Sequence, residues 1–206
     1  MRQLRYLTVG SALLLLTLLA GEALNARRPT TFSRTNPADV APQYDSHGAL
    51  IRPRNFKTWV FVGSSIGLTY EPGIRSHNPG EFHDVYIRPA SYRDYARTGK
   101  FPEKTMLVLA LYPPEEKVSP AKGGYFEGDL EGLAVAAKDH EHFPEGWAYF
   151  NFGDGGRLKD TATANPKPMC YSCHKQHAAD DNVFVQFYPI LRPIAGAHGH
   201  TSRPQN

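Results

Sequence analysis

The sequence predicts an α+β domain: a mostly antiparallel β-sheet with a few short helices packed on it and a distinctive C-terminal segment. Three observations point there. Short apolar runs of strand length recur between Gly and Pro residues, giving five strand candidates against two or three short helices. Gly (18) and Pro (17) are frequent, which suits a turn-rich chain better than a helical bundle. Tyr (11) and Phe (11) supply aromatic mass for a core between layers.

The elements follow in order. Residues 59–62 (WVFV) form a compact strand candidate ended by Gly63, and residues 83–88 (HDVYIR) a second, closed by Pro89. In residues 91–98, Ser91 followed three positions later by Asp94 reads as a capping box, and Gly99 as a C-terminal stop, so this stretch is predicted helical. Residues 105–112 (TMLVLALY) are a continuous apolar run between Pro102 and Pro113. That length fits a strand buried on both faces. In residues 124–136, Phe126, Leu130 and Leu133 alternate irregularly with acids and glycines, as in a bent or bulged strand. Residues 147–152 (WAYFNF) are a further strand, and 183–187 (VFVQF) either the last strand or the end of a helix.

At 206 residues, 41% hydrophobic and 21% charged, the chain can bury one core and carry tails. Arg2 and Arg5 precede an apolar run over 13–20 and the small residues Gly21, Ala23 and Ala26, the three-part pattern of a secretory signal peptide. Residues 1–26 are therefore expected to be removed after Ala23 or Ala26. The rival is an uncleaved anchor, for which the run is short against the roughly 20 residues of a spanning helix. Residues 27–48 read as an extended lead-in, 49–195 as the domain and 196–206 as a mobile tail. Export to the periplasm or beyond is the expected location. Lys+Arg (23) nearly balances Asp+Glu (20), for a net charge of +3, which excludes the concentrated positive surface of a nucleic-acid binder.

Two cysteines exclude a disulfide scaffold and a four-thiolate zinc site. They stand in Cys170-Tyr171-Ser172-Cys173-His174, the C-x-x-C-H signature of c-type haem attachment. Thiols three residues apart lie about one helical turn from each other and can add to two vinyl groups on one porphyrin edge. The adjacent imidazole then becomes the proximal iron ligand. Attachment of this kind takes place outside the cytoplasm, in agreement with the predicted export. The competing readings are a redox dithiol, a small-loop disulfide, and half a zinc site completed by His174 and His177. His140, His142, His198 and His200 read as solvated surface residues, and His177 as bordering either the haem edge or solvent.

A sixth iron ligand is hard to find. Met1 leaves with the signal peptide, Met169 is tethered to the proximal side, and Met106 sits in a strand where core packing is the better reading. Phe82, Phe101, Tyr125, Phe126, Trp147 and Phe150 each read as core. Together they suggest an apolar distal face over an open iron site, with Phe82, Phe126 and Phe150 as pocket candidates.

From Phe56 to Pro193 the chain resembles the cytochrome P-460 family, which includes the beta-type cytochromes c prime. The carriers are residues 81–87 (EFHDVYI), 95–101 (YARTGKF), 124–126 (GYF), 143–150 (FPEGWAYF) and the late C-x-x-C-H. The resemblance implies a β-rich domain with one covalent haem c, thioethers at Cys170 and Cys173, and His174 on the iron. It further implies one of two roles. P-460 members oxidise hydroxylamine or act on nitric oxide and carry a Lys bonded to the porphyrin, whereas beta-type members bind nitric oxide or carbon monoxide behind aromatic caps. A Lys-Glu pair expected from relatives in the strand at Val108-Leu109-Ala110-Leu111 is missing here, leaving Lys100, Lys104 and Lys122 as substitutes.

The leading expectation is thus an exported mono-haem cytochrome acting on a small nitrogen species. Glu127, Asp129, Glu131 or Glu141 would then be the distal proton acceptor. The rival is a gas-binding or electron-carrying cytochrome without catalysis, and a remote third is a haem-free dithiol protein. A small ligand or substrate is the expected partner. A redox protein and a second copy of the chain stay open, and a nucleic acid and a membrane span after cleavage are not expected.

Overall fold

A computed structural model describes residues 39–69 and 79–200. The predicted signal peptide, residues 27–38 of the lead-in and residues 201–206 lie outside the described residues. The strands are β1 (Leu50–Ile51), β2 (Val60–Ile66), β3 (Phe82–Ile87), β4 (Met106–Tyr112), β5 (Pro114–Glu116), β6 (Tyr125–Glu127), β7 (Gly132–Lys138), β8 (Trp147–Asn151), β9 (Gly153–Asp154), β10 (Arg157–Leu158) and β11 (Thr161–Ala162). Helices α1 (Pro89–Thr98), α2 (Tyr171–His177) and α3 (Arg192–Ala197) are all short. Strand-rich and mostly antiparallel, this is the α+β class expected from the sequence.

The centre is a five-stranded antiparallel sheet in the order β2-β3-β4-β7-β8, with two-stranded ribbons β1-β11, β9-β10 and β5-β6 at its margins. Strand β4 lies in the middle and is covered on both sides, as its unbroken apolar run predicts. Its side chains alternate between two cores. Met106, Val108, Ala110 and Tyr112 join Leu133, Val135, Phe150 and Phe152 on one face. Leu107 and Leu109 point the other way, among Val85, Ile87, Trp147 and Tyr149.

On that second face lie α1 and the C-terminal segment. Pro89 occupies the first turn of α1, where its fixed φ fits and its missing N–H costs nothing. The helix starts one turn earlier than the capping box implies, and Ser91 is buried inside it. Gly99 closes it as expected, at φ 68° with its N–H on the Tyr95 carbonyl at 2.8 Å. Tyr95 and Phe101 stack at 3.9 Å, and Trp147 meets Phe101 edge-on at 6.2 Å, which fastens α1 to the sheet.

Elsewhere the chain departs from the sequence reading in instructive ways. The strand predicted over 124–136 is two strands: β6 turns away to pair with β5, and β7 begins only at Gly132. Residues Val185–Phe187 form a 3₁₀ turn, not a strand. β2 runs on through Gly63 with a shift of register. At the other end, α3 runs across the predicted domain end at 195. His198 packs on Gly99, and the His200 N–H donates to the Ala195 carbonyl at 2.8 Å. In the lead-in, Asp39 lies at ion-pair distance from Arg88 (2.8 Å) and Arg93 (3.2 Å).

On the first face Asp84 is buried beside Glu127 of β6, and Tyr86 donates to its carboxylate at 3.2 Å. Burial, then the charge of Asp84, pushes Glu127 above the usual carboxylate range. Folding therefore favours the protonated form of Glu127. Stability is undiminished below the unfolded pKa and falls as pH rises through the elevated folded one. Glu127→Gln should raise the melting temperature at pH 7 relative to wild type, with the gain shrinking toward zero at acidic pH. Thermal unfolding of both proteins across that range checks it.

Candidate functional site

Between the second face of the sheet and the C-terminal segment lies a cavity of about 190 Å³. Strands β3, β4 and β7 supply an apolar wall of Val85, Leu107, Leu109, Ala134 and Ala136, side chains that the alternation of each strand turns to this face. Tyr149 of β8 and Phe184, Phe187 and Tyr188 of the C-terminal segment complete an aromatic rim, with Cys170 and His174 between them. The roof approaches closely at Gly63, where a Cβ would stand 2.9 Å from Pro189.

The motif sits at the start of α2. Cys170 precedes the first turn, Cys173 and His174 follow within it, and the His174 N–H donates to the Cys170 carbonyl at 3.0 Å. Both thiols are free rather than joined. The Asn165 amide donates to Cys170 Sγ at 3.5 Å, while its backbone N–H bonds the Tyr149 carbonyl at 2.7 Å, which ties the motif to β8.

The His174 ring lies 4.3 Å from Tyr149 and 4.4 Å from Phe184. Its Nδ1 donates to the Asn182 carbonyl at 2.8 Å, which leaves Nε2 as the atom able to bind a metal. Burial lowers its pKa and the bond to Asn182 opposes this, so the ring is neutral near pH 7 with its lone pair available.

That carbonyl is itself held in place. Tyr149 Oη donates to it at 3.1 Å, and Trp147 Nε1 and Lys138 Nζ hold the Asp181 carboxylate at 3.1 and 2.7 Å. Tyr95 Oη donates to Asp180 at 2.7 Å. Asp181 and Asn182 both adopt positive φ (40° and 61°), a conformation that Asp and Asn tolerate better than most residues. The 180–182 loop is a functional element that the sequence reading missed. Its signal was two acids and an Asn shortly after the motif, residue types suited to a tight turn.

The donor set fits a haem. The Cys170 thiol and an imidazole with a free Nε2 meet at one end of an apolar, aromatic-rimmed cavity, Cys173 follows within α2, and Tyr149 and Phe184 fix the imidazole plane. A family model, Cytochrome P460, matches residues 53–185. The chain belongs to the cytochrome P460 family. Haem is accordingly its cofactor. No curated protein matches the chain.

The other sequence candidates fall elsewhere. Phe82 packs against the first core, behind the sheet, because even-numbered positions of β3 face away from the cavity. Phe126 is exposed on the β5-β6 ribbon. Phe150 borders the cavity, but its ring meets Phe143 edge-on at 5.8 Å in the first core. Met106 is buried on that same side, as core packing predicted.

Neither the candidate lysines nor the candidate acids line the cavity. Lys104 is engaged by Asp139 and Glu141, both at 2.6 Å, and Lys100 and Lys122 are exposed. Glu127 stands beside Asp84, and Asp129 and Glu131 are exposed. His83 of β3, which the sequence reading did not single out, does line it.

Two measurements check this placement. Met106→Leu should cost less than about 1.5 kcal/mol and leave the haem spectrum unchanged, since the residue faces the wrong core. Asp181→Ala strands the buried Trp147 donor and removes the ion pair to Lys138, which keeps its bond to the Phe101 carbonyl. It should destabilise the fold by about 1–3 kcal/mol in chemical denaturation and perturb the Soret band through His174.

Proposed function

We propose that the protein is an exported cytochrome with one haem held covalently by Cys170 and Cys173, with His174 as proximal ligand, and that it binds small gases such as nitric oxide or carbon monoxide. The observation that carries the ligand-binding reading is the sheet wall facing His174. Val85, Leu107, Leu109, Ala134 and Ala136 offer neither a ligating atom nor a proton acceptor. When bound, the haem supplies the iron to which a diatomic gas attaches.

The chain's own residues do the rest. Cys170 and Cys173 anchor the porphyrin edge. Asn182 orients His174 through Nδ1 and raises its basicity, and Tyr149 and Phe184 keep its ring upright. The apolar wall excludes water and leaves the opposite side open to an uncharged molecule. Hydroxylamine oxidation would call for a base that accepts protons as electrons leave. The acids named for that role stand on the first face, pair with lysine, or are exposed, and the strand over residues 108–111 holds no Lys-Glu pair. Among the described residues no helix is long and apolar enough to cross a membrane.

With co-expressed haem-ligation machinery, acid–acetone extraction should leave the pigment on the wild type and release it from Cys170→Ala/Cys173→Ala. Reduced protein should then take up carbon monoxide and nitric oxide without first losing a strong protein ligand, and turn over hydroxylamine no faster than free haem. A low-spin six-coordinate reduced spectrum, or sustained hydroxylamine oxidation, would overturn the reading. His174→Ala should keep the thioethers but shift the Soret band and weaken gas binding.

A further inference from the structure

The cavity is chemically lopsided. Its Cys170 end lies against β8, fixed there by Asn165 and by the contact of His174 with Tyr149. Its opposite end lies against β2 and β3, where Ser65 and His83 are direct cross-strand partners and Ser64 is adjacent. Between the two ends the wall is aliphatic. From β8 to β3 the sheet takes three strand steps of about 4.8 Å, roughly 14 Å in all, comparable with the width of a porphyrin.

Haem is lopsided in the same sense, with its vinyl groups and its two propionates on opposite edges. Thioether attachment at the Cys170 end would orient the carboxylates toward the other. We infer that Ser65 and His83 form a carboxylate-binding subsite that receives the haem propionates. This rests on the covalent-haem reading above.

The chemistry of His83 agrees. It is half-buried, lines the cavity, and no hydrogen bond to another described residue meets its ring, which leaves the ring open to an incoming group. Burial lowers its pKa, with Glu81 opposing, and an incoming carboxylate would restore the charged form. Ser65 adds a hydroxyl donor alongside. A propionate in this place takes a charge-assisted hydrogen bond out of the solvent. The subsite also sets which way round the porphyrin lies, because the thioethers and the His83 end must be satisfied together.

Resonance Raman spectra of the ferric holoprotein test this on wild type, His83→Phe and Ser65→Ala, with acid–acetone extraction run on each preparation. The pigment should stay on all three. The propionate-bending bands should shift in His83→Phe and, by less, in Ser65→Ala, while the spin and coordination state stays that of wild type. Unshifted bands with the pigment retained overturn the inference and leave the covalent reading standing. A change from low-spin six-coordinate to high-spin on His83→Phe also overturns it, since His83 would then be an iron ligand. Pigment extracted from wild type overturns both together. Ser65→Ala, the smaller change, decides the matter if His83→Phe yields no folded holoprotein.

Discussion

The alternation of side chains along β4 is the constraint on which the rest of the molecule depends. Residues 106–112 are apolar almost without a break, so the strand can sit at the centre of the sheet only if both its faces are covered. One face is closed by the core around Val108 and Ala110, with Phe150, Phe152 and Leu133. The other is covered by α1 and the C-terminal segment only in part, and the shortfall is the cavity over Leu107 and Leu109. A slip of one residue would exchange these sets and bring Met106 and Tyr112 to the cavity side. Pairing with β3 and β7 over six positions each makes such a slip costly.

The His174 side of the cavity answers a different problem, how to hold one imidazole steady on a helix of seven residues. So short a helix has little stability of its own. Rigidity is imported from β7, β8 and α1, whose Lys138, Trp147, Tyr149 and Tyr95 converge on the three residues 180–182. Those residues return the favour through the Asn182 carbonyl on His174. Tyr95, Trp147 and Tyr149 are side chains already packed in the second core, so the order of the sheet passes to the His174 ring through hydrogen bonds of 3.1 Å or less. Burial drives the Tyr95 and Tyr149 hydroxyls well above their ordinary pKa, which keeps them protonated as donors around neutral pH.

How much of this was legible in the sequence follows from the range of each signal. Strands β2, β3, β4 and β8 announced themselves because apolar runs and Pro or Gly boundaries are local. So did the C-x-x-C-H motif, whose spacing is its chemistry. What was lost is what depends on parity and pairing across the chain. Phe82 and Val85 lie in one strand, yet only the second faces the cavity, and nothing in the residue types says so. Glu127 looked available as a base until β6 turned back on β5 and set it beside Asp84. Ser91 looked like a cap because the capping-box pattern is weak beside a Pro that can start the helix itself. His83 sat in a segment read only as a strand and as a carrier of the resemblance, and the role of the 180–182 loop emerges only when four distant side chains are seen to meet there.

The distribution of charge carries the functional argument one step further. Acids and lysines that could have served proton transfer are spent on structure: Lys104 with Asp139 and Glu141, Lys138 with Asp181, Glu127 with Asp84. Asp139 is fully buried, yet hydrogen bonds from Lys104 and His142 outweigh that burial and hold its pKa below the usual range. A carboxylate so occupied is a poor proton acceptor. Along the cavity the order reverses, with polarity confined to the two ends and an aliphatic span between them. A site arranged this way has the means to anchor and orient a flat amphiphile and little means to move protons over its centre. Its selectivity would rest on size and on the exclusion of water, which suits the apolar diatomic gases of the proposed reading better than the more polar hydroxylamine.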